Sequence, residues 1–102
     1  MTSLIYDDIY LKHDTGASHP ENATRIINTI EYLRSASIWQ KLDIKKPRAA
    51  TIEEISTVHT INQIAEVAEI AKTGGGNLDP DTHVSPDSYE AALYASGALL
   101  TA

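Results

Sequence analysis

Ser18-His19-Pro20-Glu21-Asn22-Ala23-Thr24-Arg25-Ile26-Ile27-Asn28-Thr29-Ile30-Glu31-Tyr32-Leu33 changes character part-way along, from turn-forming and charged residues to an apolar stripe. Ala23, Ile26, Ile27, Ile30 and Leu33 recur at helical spacing, so one face of a helix asks to be buried. Ser18 and Glu21 stand at capping-box spacing, and Pro20 suits a first turn whose N–H has no partner, so the pattern predicts a helix opening near Pro20. Upstream, Tyr10 to Pro20 carries Lys12-His13-Asp14-Thr15-Gly16-Ala17, small and turn-forming residues that read as a long loop. Leu4 to Tyr6, ahead of two aspartates, reads as one short buried strand.

Downstream of that helix, Leu42 and Ile44 alternate with polar residues in the connector Trp39 to Pro47. Pro47 keeps Lys46 out of helical geometry, so a short strand or extended segment fits. Thr51 with Glu54 ahead of Ile55 and Val58, then Thr60 with Gln63 ahead of Ile64, Ala65, Ala68 and Ala71, predict two consecutive helices. Gly74, Gly75 and Gly76 stop the second, and a loop is expected from there to Ser85. Ser85 as cap, Pro86 at the first helical position and Asp87 beside the positive helix end predict a last helix carrying Tyr89, Ala92, Leu93, Ser96 and Leu100. Ala91 to Ala102 is apolar or small on all sides and has no stop signal, so both sides of that helix ask for burial. The chain is expected to be one unit, residues 1–102, incomplete at its C-terminus.

A chain of 102 residues suffices for one small domain, which buries only roughly 60 to 65% of its unfolded surface and has little stability to spare. Apolar residues at 42% and charged residues at 22% mark a globular chain and not a disordered tail. The net charge of −6 disfavours phosphate backbones and anionic lipid, which need clustered Lys and Arg, so no nucleic acid is expected as a partner. Without cysteine there is neither a disulfide framework nor a thiolate zinc site, which favours a cytoplasmic protein. The start lacks a basic and apolar leader, and no 18-residue apolar stretch occurs, so neither export nor membrane insertion is expected.

His13, His19, His59 and His83 are the natural suspects for a metal or a general base. No His-Glu-x-x-His pair completes a tetrahedral set around His13 and His19, and ordinary loop histidines are the better reading. Asp14, Ser18 and His19 are the residue types of a nucleophilic triad, but close neighbours on one loop seldom reach its geometry. Asp79-Pro80-Asp81-Thr82 with Glu90 starts like a calcium loop, yet Val84 stands where glycine is needed. Gly74-Gly75-Gly76-Asn77 lacks the Lys-Ser/Thr of a phosphate loop. There remain two loops just ahead of helix starts, Ser18 to Glu21 and Asp79 to Thr82. Such loops commonly line sites, although Glu21 and Asp87 also serve simply to complement helix dipoles, and local physics leaves both readings open.

Five pieces in order carry a resemblance. They are His13-Asp14-Thr15-Gly16; His19-Pro20-Glu21 with Arg25-Ile26; Pro47-Arg48-Ala49-Ala50-Thr51 with Glu53-Glu54; Val58-His59-Thr60; and Leu78-Asp79-Pro80-Asp81-Thr82 through Val84-Ser85-Pro86 to Tyr89-Glu90-Ala91-Ala92. Together they resemble the N-terminal third of bacterial class II-like histone deacetylases, a family that includes acetylpolyamine amidohydrolases, and the likeness spans nearly the whole chain. It implies an α/β fold of the arginase and deacetylase kind, a mainly parallel sheet flanked by helices with the site at the strand C-termini. The N-terminal portion seen here would be mostly helical with one or two short strands.

The resemblance also implies zinc in the full-length parent, held by two aspartates and a histidine beside a His-His pair. Those elements are implied to lie beyond this chain, which would bind no metal and hold no catalytic residue. Carried over residue by residue, His19, Pro20 and Glu21 fall on the rim of the acyl-lysine tunnel. Asp79 or Asp81 falls on the second rim loop, where an aspartate accepts hydrogen bonds from the substrate backbone. Arg25 falls at the internal channel beneath the site, and a salt bridge to Glu21 at i and i+4 is compatible with that place. Asn22-Ala23-Thr24 lacks the proline common there, Gln63 replaces a tyrosine, and His83 replaces an aromatic residue. The expected function is zinc-dependent hydrolysis of acetyl-lysine or acetylpolyamine amides by the parent, with this chain inactive alone. The alternative is a non-catalytic helical module that assembles as a homo-oligomer through its last helix.

Overall fold

β1 (Thr2–Ile5) and β2 (Leu42–Lys45) lie side by side and parallel, Thr2 opposite Leu42 and Ile5 opposite Lys45. The computed structural model describes residues 2–16 and 18–102; Met1 and Ala17, the latter inside the expected loop, lie outside the described residues. Parallel neighbours require a crossover, and the chain makes it through α1 (Ala23–Ser35), with a 3-10 turn before it at Asp8–Lys12 and another after it at Ser37–Lys41. The expected loop is therefore helical at its start, because the Asp7 carboxylate accepts from the Ile9 N–H at 2.9 Å and sets a turn going.

α1 opens three residues later than its capping pattern suggests. Asn22, not Ser18, is the cap, its side-chain oxygen accepting from the Thr24 N–H at 3.0 Å. Glu21 is not available to close a box, since its own N–H donates to the His19 ring at 3.1 Å and Asn22 ties back to the His19 carbonyl at 2.7 Å. Pro20 thus belongs to a turn ahead of the helix. Ile30 is the buried residue of the apolar stripe.

α2 (Ile52–Ile55) has the full capping box: the Thr51 hydroxyl accepts from the Glu54 N–H at 3.1 Å, and the Glu54 carboxylate accepts from the Thr51 N–H at 2.9 Å. The same carboxylate takes a two-pronged bond from Arg48 at 2.8 and 2.7 Å. Those bonds, with the Thr51 amide, hold it at about 2, well below its ordinary 4.5. α3 (Ile61–Lys72) is capped by Thr60, but Gln63 faces His59 at 3.3 Å and leaves the box half made. Gly74 and Gly75 end it with positive φ of 105° and 103°, a region closed to most side chains.

The loop expected up to Ser85 is instead a hairpin of β3 (Gly76–Asp79) and β4 (Thr82–Val84), antiparallel and with an irregular register between Asn77 and Asp79. Its residues are too polar and its strands too short to announce themselves. The turn is made by Pro80 and by the Asp79 carboxylate, which accepts from the Asp81 N–H at 2.9 Å. α4 (Ser88–Thr101) starts after Pro86 and Asp87, not at Pro86, and makes no side-chain cap bond at Asp87. Ser85 does not cap it because its hydroxyl is engaged elsewhere, as described below.

A strap, Arg48 to Ala50, runs along α4. The Ala50 N–H donates to the Leu93 carbonyl at 2.9 Å and the Arg48 N–H to the Thr101 hydroxyl at 3.2 Å. Only glycine permits this approach, since a Cβ at Gly97 would overlap the Arg48 carbonyl. The buried apolar set is small, namely Ile30, Ala50, Ala71, Val84 and Ala91, and no large side chain is fully enclosed among the described residues. The molecule measures 43 × 33 × 17 Å and its radius of gyration is 14.9 Å, against about 13 Å for a rounded domain of this length. It is a thin slab, and α4 buries only the side bearing Ser88, Ala91 and Gly97.

Candidate functional site

The fold brings together the two loops singled out in the sequence. The His19 ring lies between them: Nδ1 accepts from the Glu21 N–H at 3.1 Å, so the ring proton sits on Nε2 and is donated to the Asp81 carbonyl at 2.9 Å. His19 is half-buried, while Pro20, Glu21, Asp79 and Asp81 are exposed. The Thr15 hydroxyl closes the first loop on the Glu21 carbonyl at 2.7 Å, and Asp14 accepts from the Gly16 N–H at 2.9 Å. Every one of these bonds leaves the Glu21 carboxylate uncommitted. The Asp79 carboxylate spends one oxygen on its own turn.

Arg25 stands on the exposed first turn of α1 and forms no ion pair among the described residues, so the salt bridge to Glu21 is not made. It lines a notch of about 60 Å³ with Tyr10, His13 and Glu21. The notch adjoins a cavity of about 450 Å³ walled by Tyr10, His13, Glu21, Ile26, Ser88 and Ala91, in the space between the first 3-10 turn, α1 and α4. Burial pushes the Tyr10 hydroxyl above its usual range, with Asp7 adding to the effect. It remains a donor, to the Tyr94 carbonyl at 3.2 Å.

A second constellation has no counterpart in the sequence reading. His13 Nδ1 is 2.6 Å from the Ser88 hydroxyl, which is 2.8 Å from the Ser85 hydroxyl. The Ser85 hydroxyl also accepts from the Asp14 N–H at 3.0 Å. Seventy-five positions separate His13 from Ser88, and no spacing rule connects them.

Among the described residues no three His, Asp or Glu side chains converge as a metal site, so the side chains present do not fit a zinc ion. Asp81-Thr82-His83 has the Asp-x-His form of a metal motif, yet His83 pairs across the hairpin with the Asn77 side chain at 2.7 Å. His59 lies at the junction of α2 and α3 beside Gln63. No helix of the described residues is long and apolar enough to cross a membrane.

A strand, helix, strand crossover defines an α/β arrangement, and a solved structure agrees. The crystal structure of the HDA15 HD domain matches with a TM-score of 0.86 at 23% identity, over 95% of this chain and 29% of that one. The histone deacetylase domain model matches residues 19–102. A probable deacetylase of Archaeoglobus fulgidus is 29% identical over 100% of this chain and 29% of its own length. Histone deacetylase 8 of Arabidopsis thaliana is 35% identical over 95% of this chain and 26% of its own length. The chain belongs to the histone deacetylase family, a family of hydrolases, and has the α/β deacetylase fold. It spans 26 to 29% of the length of these relatives.

Proposed function

We propose that residues 1–102 are the N-terminal part of a deacetylase domain and supply the substrate rim and part of the scaffold of a zinc-dependent amidohydrolase. The metal and the catalytic groups are contributed by residues outside this chain. Its substrates are acetylated lysine or a small acetylated amine such as an acetylpolyamine, and its place is the cytoplasm. The observation that carries this reading is the His19–Asp81 bond, which sets the His19-Pro20-Glu21 loop against the Asp79–Asp81 turn. Glu21 and Asp79 then stand as acceptors on neighbouring loops, and a carboxylate is the group that would take the N–H donors of an amide substrate's backbone. Arg25, which lines the notch together with Glu21, is the residue that the family resemblance assigns to the internal channel.

The test is amide hydrolysis by the full-length gene product on an acetyl-lysine peptide and on an acetylpolyamine, with and without a zinc chelator. Chelator-sensitive turnover that weakens in Asp79→Asn more than in Asp81→Asn supports the reading and assigns the rim aspartate. Turnover by residues 1–102 alone would show that the catalytic groups are here after all.

One feature favours a second reading. Leu99 is 83% and Val58 81% exposed, and with Leu100 they line one groove of about 290 Å³. As a self-associating module the chain would bury that groove against a second copy. A dimer mass by light scattering, lost in Leu99→Glu, is the outcome that would favour it.

A further inference from the structure

Ser85 and Ser88 are the two buried polar residues among those described, 5% and 6% exposed. A hydrogen count fixes how they bond to His13. The Ser88 oxygen accepts from the Ser85 N–H at 2.7 Å and the Ser85 oxygen from the Asp14 N–H at 3.0 Å. Two hydroxyl hydrogens remain for three contacts: His13 to Ser88, Ser88 to Ser85, and Ser85 to the Lys12 carbonyl at 3.3 Å. If Ser88 donates to His13 and Ser85 to Ser88, the Lys12 contact has no hydrogen. If His13 Nδ1 carries the proton, it donates to Ser88, Ser88 to Ser85 and Ser85 to Lys12, and every contact is served once. A buried polar cluster settles in the pattern that leaves nothing unpaired. The pattern that serves every contact has the His13 proton on Nδ1, against Nε2 for His19, opposite forms on one loop.

We infer that His13 is a positioning residue of the proposed rim, an inference that rests on that reading of the two loops. Its bond to Ser88, together with the Asp14 N–H and Lys12 carbonyl bonds to the Ser85 hydroxyl, fastens residues 12–14 to the start of α4, at the root of the hairpin. The His19–Asp81 bond fastens the far end of the same loop to the hairpin's tip. Ties at opposite ends make the loops one body, and His13 contributes to the separation of Glu21 and Asp79 by completing the root tie, although it touches neither carboxylate's bonds. A loop whose root is loosened shifts about its remaining ties, and substrate-binding geometry is sensitive to such displacements.

The test reads the ring nitrogens of the histidines by ¹⁵N NMR on the full chain. The wild type is expected to show the Nδ1–H form at His13 and the Nε2–H form at His19. His13→Phe keeps the ring volume and removes the bond alone; Ser88→Ala keeps the imidazole and removes the same bond together with the two that Ser88 shares with Ser85. Both are expected to collapse the His19 signal to the average of a freely exchanging ring, while His13→Asn, whose amide can donate near the Nδ1 position, preserves it. An unchanged His19 signal in Phe and Ala variants that remain folded would overturn the inference. So would loss of the Thr51 and Glu54 amide signals along with it, because the cluster would then hold up the whole slab and not the rim. In the full-length enzyme His13→Phe is expected to raise KM about tenfold, the equivalent of one hydrogen bond, with kcat nearly unchanged and His13→Asn restoring it. A full-length product that hydrolyses no acetyl amide would sink the rim reading and leave the NMR result on the lock standing.

Discussion

Ser88, in the first turn of α4, is 6% exposed and shares hydrogen bonds with His13 and Ser85, whereas Leu99, three turns further on, is 83% exposed. The two ends of one helix are finished to different degrees. Hydrogen bonds are directional and short, so a buried polar group has to find its partners locally or cost about 1–3 kcal/mol. The N-terminal end of α4 therefore closes on itself. Apolar burial has no direction and asks only for area, so the Val58, Leu99 and Leu100 face carries no information about what should cover it. That difference explains how a slab only 17 Å thick can hold a well-defined polar lock.

The contrast can be tested from its strongest point downward. Gly97→Val should cost at least about 3 kcal/mol by urea denaturation, the upper end of overpacking, because the new side chain must push the Arg48–Ala50 strap off α4. A loss under half of that would mean the strap is loose. Ser88→Ala should cost about 1–3 kcal/mol, since it strands the buried Ser85 N–H as well as His13. Thr51→Ala should cost about 1 kcal/mol through the lost cap, read in the same experiment.

Acid provides a milder probe of the same region. Glu54 is held at about 2 when folded against an ordinary 4.5, so its contribution is complete above 4.5 and is lost as pH falls from there toward 2. The pair is exposed to solvent, and the expected change is a small decline in the thermal midpoint across that window, absent in Glu54→Gln. Smallest of all, Leu99→Ser should change stability by less than about 0.5 kcal/mol if the apolar end is free in solution. A larger loss would show that the face is covered, and by what the light-scattering mass would tell.

Much of the architecture was legible in residues. The Thr51–Glu54 box, the Thr60 cap, the glycine stop after α3 and the apolar stripe of α1 are local signals, decided within one or two turns of chain, and each appears where its spacing places it. The likeness of the five ordered pieces to deacetylases was legible for the same reason, since order and spacing are properties of sequence. Where tertiary partners compete for a side chain, the local rule failed. Ser18 yielded the α1 cap to Asn22, because the Glu21 N–H was taken up by the His19 ring, which itself bonds to the hairpin. Ser85 gave up capping α4 because its hydroxyl serves Asp14 and Ser88. The hairpin itself, polar and short, had no periodicity to betray it.

By itself, then, the sequence determined the helices, the threonine caps of α2 and α3 and the family, because those depend on groups a few residues apart. Only the tertiary structure decided which loop meets which, that His13 reaches Ser88, and that His19 reaches Asp81 across 62 positions. Such meetings depend on how the first 3-10 turn packs against α1 and α4, and packing distance has no expression in the separation of residues along the chain.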